Sequence, residues 1–157
     1  MNEQAVIAPV RKSVHVKVPV EYAFEVFTSG LTHWWPNNHG IGKKPIQKVL
    51  MEPRLGGRWL EIADDGTETS AATIIVWEPP HRFVMVWQVN AQWKPDVAMK
   101  SEVVVRFTPD GADSTVVELV HHKFETMGAE AGASLREDVG RGWPGFMERF
   151  AKEAERS

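Results

Sequence analysis

Hydrophobic and polar positions alternate without a break through "KSVHVKV", with Val14, Val16 and Val18 on one face and Ser13, His15 and Lys17 on the other. That period of two predicts a half-buried strand. After Pro19 the spacing changes: in "PVEYAFEVFTS", Tyr22 (or Ala23), Val26 and Phe27 recur at helical intervals, and a proline suits a helix start. "GLTHWW" adds a second helical turn beyond the break at Gly30, stopped by Pro36, Asn37 and Asn38. From Ile46 the period returns to two. "IQKVLME" reads as a strand of either facing, "GGRWLEIA" runs into the tight turn of Asp65 and Gly66, and "TSAATIIVWE" ends at Pro79 and Pro80, which cannot donate to a ladder. "HRFVMVWQV" places Phe83, Met85, Trp87 and Val89 together. "SEVVVRF" sets Val103, Val105 and Phe107 opposite Glu102, Val104 and Arg106, and "TVVELVHHKF" sets Thr115, Val117, Leu119 and His121 opposite Val116, Glu118, Val120 and His122. Seven strands in adjacent hairpins imply one antiparallel meander. Helical spacing comes back at the end, where Leu135, Val139, Trp143, Phe146, Met147, Phe150 and Ala154 trace one stripe. A helix is expected from Trp143 to Glu155, with a kink or a fresh start near Gly142 because Pro144 removes a backbone donor.

A sheet with one apolar face and a helix with an aromatic stripe must bury each other, so the expected class is α+β, with a curved sheet gripping the last helix. Such a sheet does not close fully on one helix, and the gap beneath the short helices is a natural cavity.

Composition narrows the function classes. The 157 residues, 43% hydrophobic and 25% charged, fit one globular domain over residues 1–157. There is no cysteine, which removes disulfides, thiolate metal sites and a cysteine nucleophile. With a formal charge of −3 and no basic cluster denser than "GKKP", the chain lacks the positive footprint of a nucleic-acid binder. "MNEQAVIAPV" has neither a basic leader nor an apolar core, and no run is long enough to span a bilayer, so a cytoplasmic protein without a membrane partner is expected.

The ordered set "FEVFTSGLTHWWP", "EPRLGGRWLE", "DGTE", "WEPPHRFVMVW", "TVVELVHH" and "GWPGFMERF" resembles the Hsp90-ATPase-activator homologue 1-like proteins of the START/SRPBCC superfamily, the Bet v 1-like helix-grip fold. The resemblance runs from about Val14 to Phe150. It implies a seven-stranded antiparallel sheet around a long terminal helix, two short helices between the first two strands, and a deep hydrophobic ligand cavity. It does not imply one activity, because the superfamily holds ligand binders, polyketide cyclases and co-chaperone domains. The eukaryotic co-chaperone carries a separate N-terminal domain that contacts its chaperone. No room for it exists in this chain, and Hsp90 contact is not expected.

Seven tryptophans are many for this length: Trp34, Trp35, Trp59, Trp77, Trp87, Trp93 and Trp143. Core packing accounts for any one of them. Parity nevertheless sends Trp77, Trp87, Val117, Leu119 and His121 to the concave face. Trp59 and Glu61 share one side of their strand, and that side faces inward unless the equally apolar Leu60 and Ile62 do. Within "HWWPNNHG" one indole can plug the core while the other overhangs a cavity mouth, with the loop through His39 as its rim; a plug that seats the second helix is the competing reading.

A carboxylate aimed into an apolar cavity needs a partner or a proton, so an inward Glu61 suits proton transfer or the grip on a polar ligand group. Arg58, His121 and His39 are its candidate partners. Met85 and Trp143 complete the expected lining. Three function classes follow: a binder of a small hydrophobic or aromatic molecule using Trp35, His39, Trp59, Glu61, Met85, Trp87, His121 and Trp143; a cyclase- or dehydratase-like enzyme with Glu61 and His121 as base and acid; and an interaction module or homodimer presenting Val84, Val86, Val104, Val116 and Val120 from its outer face. No metal or cofactor is expected. His121 and His122 are strand neighbours that cannot converge on one ion, and His33 and His39 lack a third ligand. "RLGGRW" precedes a strand and is no phosphate loop, and there is no Gly-x-Ser-x-Gly elbow.

Overall fold

The computed structural model describes residues 7–36 and 45–156. Its strands are β1 (Val10–Val16), β2 (Ile46–Met51), β3 (Arg58–Ala63), β4 (Glu68–Glu78), β5 (Arg82–Trp87), β6 (Ser101–Pro109) and β7 (Thr115–His122). Helices α1 (Val20–Phe27) and α2 (Leu31–Trp34) separate the first two strands, and α3 (Ala129–Ala154) closes the chain after a short 3-10 turn at Phe124–Met127. All strand pairs are antiparallel, in the order β1-β7-β6-β5-β4-β3-β2, so six consecutive strands meander and β1 returns beside β7. This is the helix-grip architecture.

Parity sets the core. In β7, Thr115, Val117, Leu119 and His121 are all buried, and in β6 so are Ser101, Val103, Val105 and Phe107. On α3 the buried positions are Gly132, Leu135, Val139, Trp143, Met147, Phe150 and Ala154, with Phe146 packed beside them. One stripe of a helix therefore meets one face of a sheet.

Local chemistry explains where the elements depart from the spacing argument. Pro19 is the N-cap of α1, and the buried member of the Tyr22/Ala23 pair is Ala23, since Tyr22 is 44% exposed. β1 begins at Val10, pairing Val10 with His121. In the β3–β4 hairpin only Gly66 takes a positive φ, 87°; Asp65 does not, so a single left-handed residue closes the turn. Helix α3 neither begins at Trp143 nor restarts at Gly142. It runs through Pro144 as one helix from Ala129, because the packed stripe on both sides of the proline outweighs one lost backbone bond. β4 shifts register twice, with Ala71 and Ile75 as the extra residues. These bulges re-phase the strand so that Ala72, Ile74 and Trp77 all serve the core despite unequal spacing. No helix among the described residues is long and apolar enough to cross a membrane.

Candidate functional site

The two adjacent tryptophans at the end of α2 part company. Trp34 donates its indole N–H to the Val26 carbonyl (2.9 Å) and packs against Phe27 and Phe150, so it is the plug that seats α2 on α1 and α3. Thr32 donates to the Val49 carbonyl of β2, and Arg149 of α3 donates to the Trp34 carbonyl. Those ties aim Trp35, the extended residue after α2, toward β3 and the middle of α3.

There it meets three more indoles. Ring centroids lie 4.6 Å apart for Trp35 and Trp59, 5.5 Å for Trp59 and Trp87, 5.7 Å for Trp87 and Trp143, and 6.0 Å for Trp143 and Trp35. The four indoles form a closed circuit of edge-to-face contacts drawn from the residue after α2 and from β3, β5 and α3. Phe146 covers Trp35 at 4.1 Å. A planar ligand sandwiched between two rings needs about 7 Å between their centroids, twice a van der Waals contact. The circuit is therefore a packed wall, and a ligand would lie against it or open one corner.

His121 sits beside this wall, fully buried, its ring 5.9 Å from Trp87. Trp143 Nε1 donates to His121 Nδ1 at 3.1 Å, and His121 Nε2 lies 3.0 Å from Ser101 Oγ. An indole N–H can only donate, so Nδ1 is the acceptor and the ring proton is on Nε2, which donates to the serine oxygen. Burial, helped by the neighbouring His122, holds the imidazole neutral and pushes its pKa down to about 3. His122 points the other way, toward Glu102.

Glu61 is only 5% exposed. It alternates with Trp59 on β3 and faces Val49 across the ladder, both of them core residues, which puts the carboxylate on the concave side. Arg58 is not its partner. The guanidinium turns to the surface and binds Glu52 (Nε to Oε1, 3.1 Å), whose own pKa is lowered chiefly by that side-chain hydrogen bond. Glu61 stands on β3 and His121 on β7, and both ring nitrogens of His121 are engaged by Trp143 and Ser101. Met85 is fully buried on β5 between Phe83 and Trp87.

The structure thus gathers Trp35, Trp59, Trp87, Trp143 and His121, with Glu61 and Met85 on the same face. His39 and the rim assigned to it lie outside the described residues. Ser101 went unnoticed in the sequence, although its place two residues before Val103 on the inward parity of β6 was a usable signal. Two surface grooves are described, one by His33, Trp34, Arg149, Lys152, Glu153 and Arg156, the other by residues of the β4–β5 turn and β6; neither includes a candidate residue. On the outer face Val84, Val104 and Val120 form a cross-strand row, with Val116 more exposed along β7.

A curled antiparallel sheet gripping a terminal helix, with an aromatic wall and buried polar groups between them, defines a helix-grip domain. The chain belongs to the family described as activator of Hsp90 ATPase homolog 1-like protein, which matches residues 17–155. Among solved structures it is similar to Txn09, an anthrahydroquino-γ-pyrone synthase complexed with SUM, at 38% identity and a TM-score of 0.64, covering 94% of this chain and 97% of that one. It is also similar to CalC, a self-sacrificing resistance protein from Micromonospora echinospora, at 32% identity and a TM-score of 0.67, covering 93% of each. Protein MLL2253 from Mesorhizobium loti, at 20% identity and a TM-score of 0.64, shares the fold. No curated protein matches the chain.

Proposed function

We propose that the chain binds a small hydrophobic or aromatic molecule on its concave face, against the wall of Trp35, Trp59, Trp87 and Trp143. The observation that carries this reading is the circuit itself. Four indoles from four separate segments converge on one spot beside a buried carboxylate and a neutral imidazole. A core needs volume, and phenylalanine or leucine supplies it without buried polar atoms; indoles add flat π surface and N–H donors that suit an aromatic guest. Trp35 is the corner that opens. It follows a four-residue helix, the shortest of the elements involved, while the other three rings sit on β3, β5 and α3. The absence of cysteine agrees with a cytoplasmic setting.

The test is equilibrium dialysis with fluorene, a planar tricyclic hydrocarbon. Saturable binding to one site, weakened at least tenfold in Trp59→Ala with the far-ultraviolet circular dichroism unchanged, supports the site. Binding that is absent up to the solubility limit, or that is indifferent to Trp35→Ala, Trp59→Ala and Trp143→Ala alike, overturns it.

A second reading draws on the likeness to Txn09: the bound molecule is also transformed, with Glu61 as base. His121 is a poor acid for it, since the imidazole is neutral and both ring nitrogens are engaged. Turnover that vanishes in Glu61→Gln while ligand affinity persists would establish this version.

A further inference from the structure

Polar atoms on the concave face can be followed one by one. Trp34 and Trp143 spend their indole N–H groups on Val26 and His121. Trp87 does not: its Nε1 is buried and has no hydrogen-bond partner among the described residues, although only 4% of the residue is exposed. A buried N–H left without an acceptor is a cost that native proteins rarely carry.

A second, independent observation lies one strand away. The residue paired across the ladder from Trp87 is Ser101, fully buried on the same inward parity. The direction of the Trp143–His121–Ser101 chain, fixed at its start by an indole that can only donate, makes the serine oxygen an acceptor. Its own hydroxyl hydrogen is then the end of the chain, with no acceptor among the described residues. Two neighbouring strands thus carry, at paired positions, two donors, an indole N–H and a hydroxyl, with no acceptor for either among the described residues.

We propose that Trp87 and Ser101 form a donor pair that reads an oxygen acceptor on the ligand, and that the ligand class is a planar aromatic carrying a carbonyl group. The inference rests on the ligand-binding reading above and adds its polar specificity. His121 is a positioning residue in this arrangement: it donates to the serine oxygen, which leaves the hydroxyl hydrogen to the ligand, and does not touch the ligand. Trp87 Nε1 supplies the main hydrogen bond to the carbonyl oxygen, and the serine occupies the second lone pair.

Fluorenone and fluorene, which differ by one carbonyl in place of a methylene, separate the two levels of the argument. In equilibrium dialysis the wild-type protein should favour fluorenone by about tenfold, the value of one good neutral hydrogen bond. In Trp87→Phe the ratio of fluorenone to fluorene affinity should fall to about one, whatever the change in affinity common to both probes, and Ser101→Ala should reduce the ratio. In nitrogen–proton spectra the Trp87 indole signal should move downfield on adding fluorenone and not on adding fluorene. Equal affinity for the two probes, or a preference that survives Trp87→Phe, overturns the donor pair and leaves the site standing. Failure of both probes to bind overturns the site and the donor pair together.

Discussion

The concave face has two ends built from different aromatics. Toward α1, Phe24, Phe27, Phe83, Phe107 and Phe150 interlock, with Phe27 lying 4.9 Å from Phe150 and 5.7 Å from both Phe83 and Phe107. None of these rings has a polar atom. Toward the middle of α3 the rings are indoles, accompanied by His121, Ser101 and Glu61. Both ends bury aromatic surface, but at the first the buried indole N–H of Trp34 is satisfied by the Val26 carbonyl, whereas at the second the Trp87 N–H has no partner among the described residues. The phenylalanine end therefore holds the sheet to the helices, and the tryptophan end carries what a ligand would recognise.

The largest effect that sharpens the contrast is on stability. Phe27→Ala should cost about 3–5 kcal/mol, because a fully buried ring touching four others leaves a cavity that cannot collapse. Urea denaturation measures it; a loss below about 1 kcal/mol would show that this end is not the structural anchor.

Next comes pH. The folded pKa of His121 is depressed to about 3, so below the ordinary histidine value near 6.5 the unfolded chain takes up a proton that the folded chain refuses. Stability is full above that value and falls as pH drops toward about 3, on the order of a few kcal/mol in total. Between pH 4 and 6 the slope for His121→Gln should be smaller than that of the wild type by about 1.4 kcal/mol per pH unit. An unchanged slope would mean the imidazole titrates freely.

The smallest effect compares two indoles of one circuit. Trp143→Phe removes both volume and the donor to His121, at roughly 2–3 kcal/mol, whereas Trp87→Phe removes a donor that has no partner among the described residues and should cost only about 1 kcal/mol for the lost volume. Equal costs would mean that the Trp87 N–H has an unrecognised partner.

The phenylalanine end was largely legible in the sequence because it depends on periodicity alone. The alternation of β5, β6 and β7 and the stripe on α3 place most of the buried residues of those elements, and the family resemblance supplied the grip. The tryptophan end was legible in membership but not in wiring. Parity marked Trp87 and His121 as inward, yet no spacing rule joins Trp143 on α3 to His121 on β7, twenty-two positions away, or brings Trp35 onto Trp59. Those contacts depend on how α3 lies across the sheet. The two bulges in β4 also escaped, since an extra residue in a strand leaves no mark on composition. Proline misled as to where the last helix starts, for a related reason: Pro144 carries a local penalty that does not interrupt a helix held by its tertiary stripe.

The indole N–H signals of the seven tryptophans offer the most direct test of the division between the two ends. Titrated with fluorenone, the assigned signals of Trp35, Trp59, Trp87 and Trp143 should move, Trp87 the furthest, while those of Trp34, Trp77 and Trp93 stay in place. Movement confined to Trp34, Trp77 or Trp93, or no movement at all, would contradict the account.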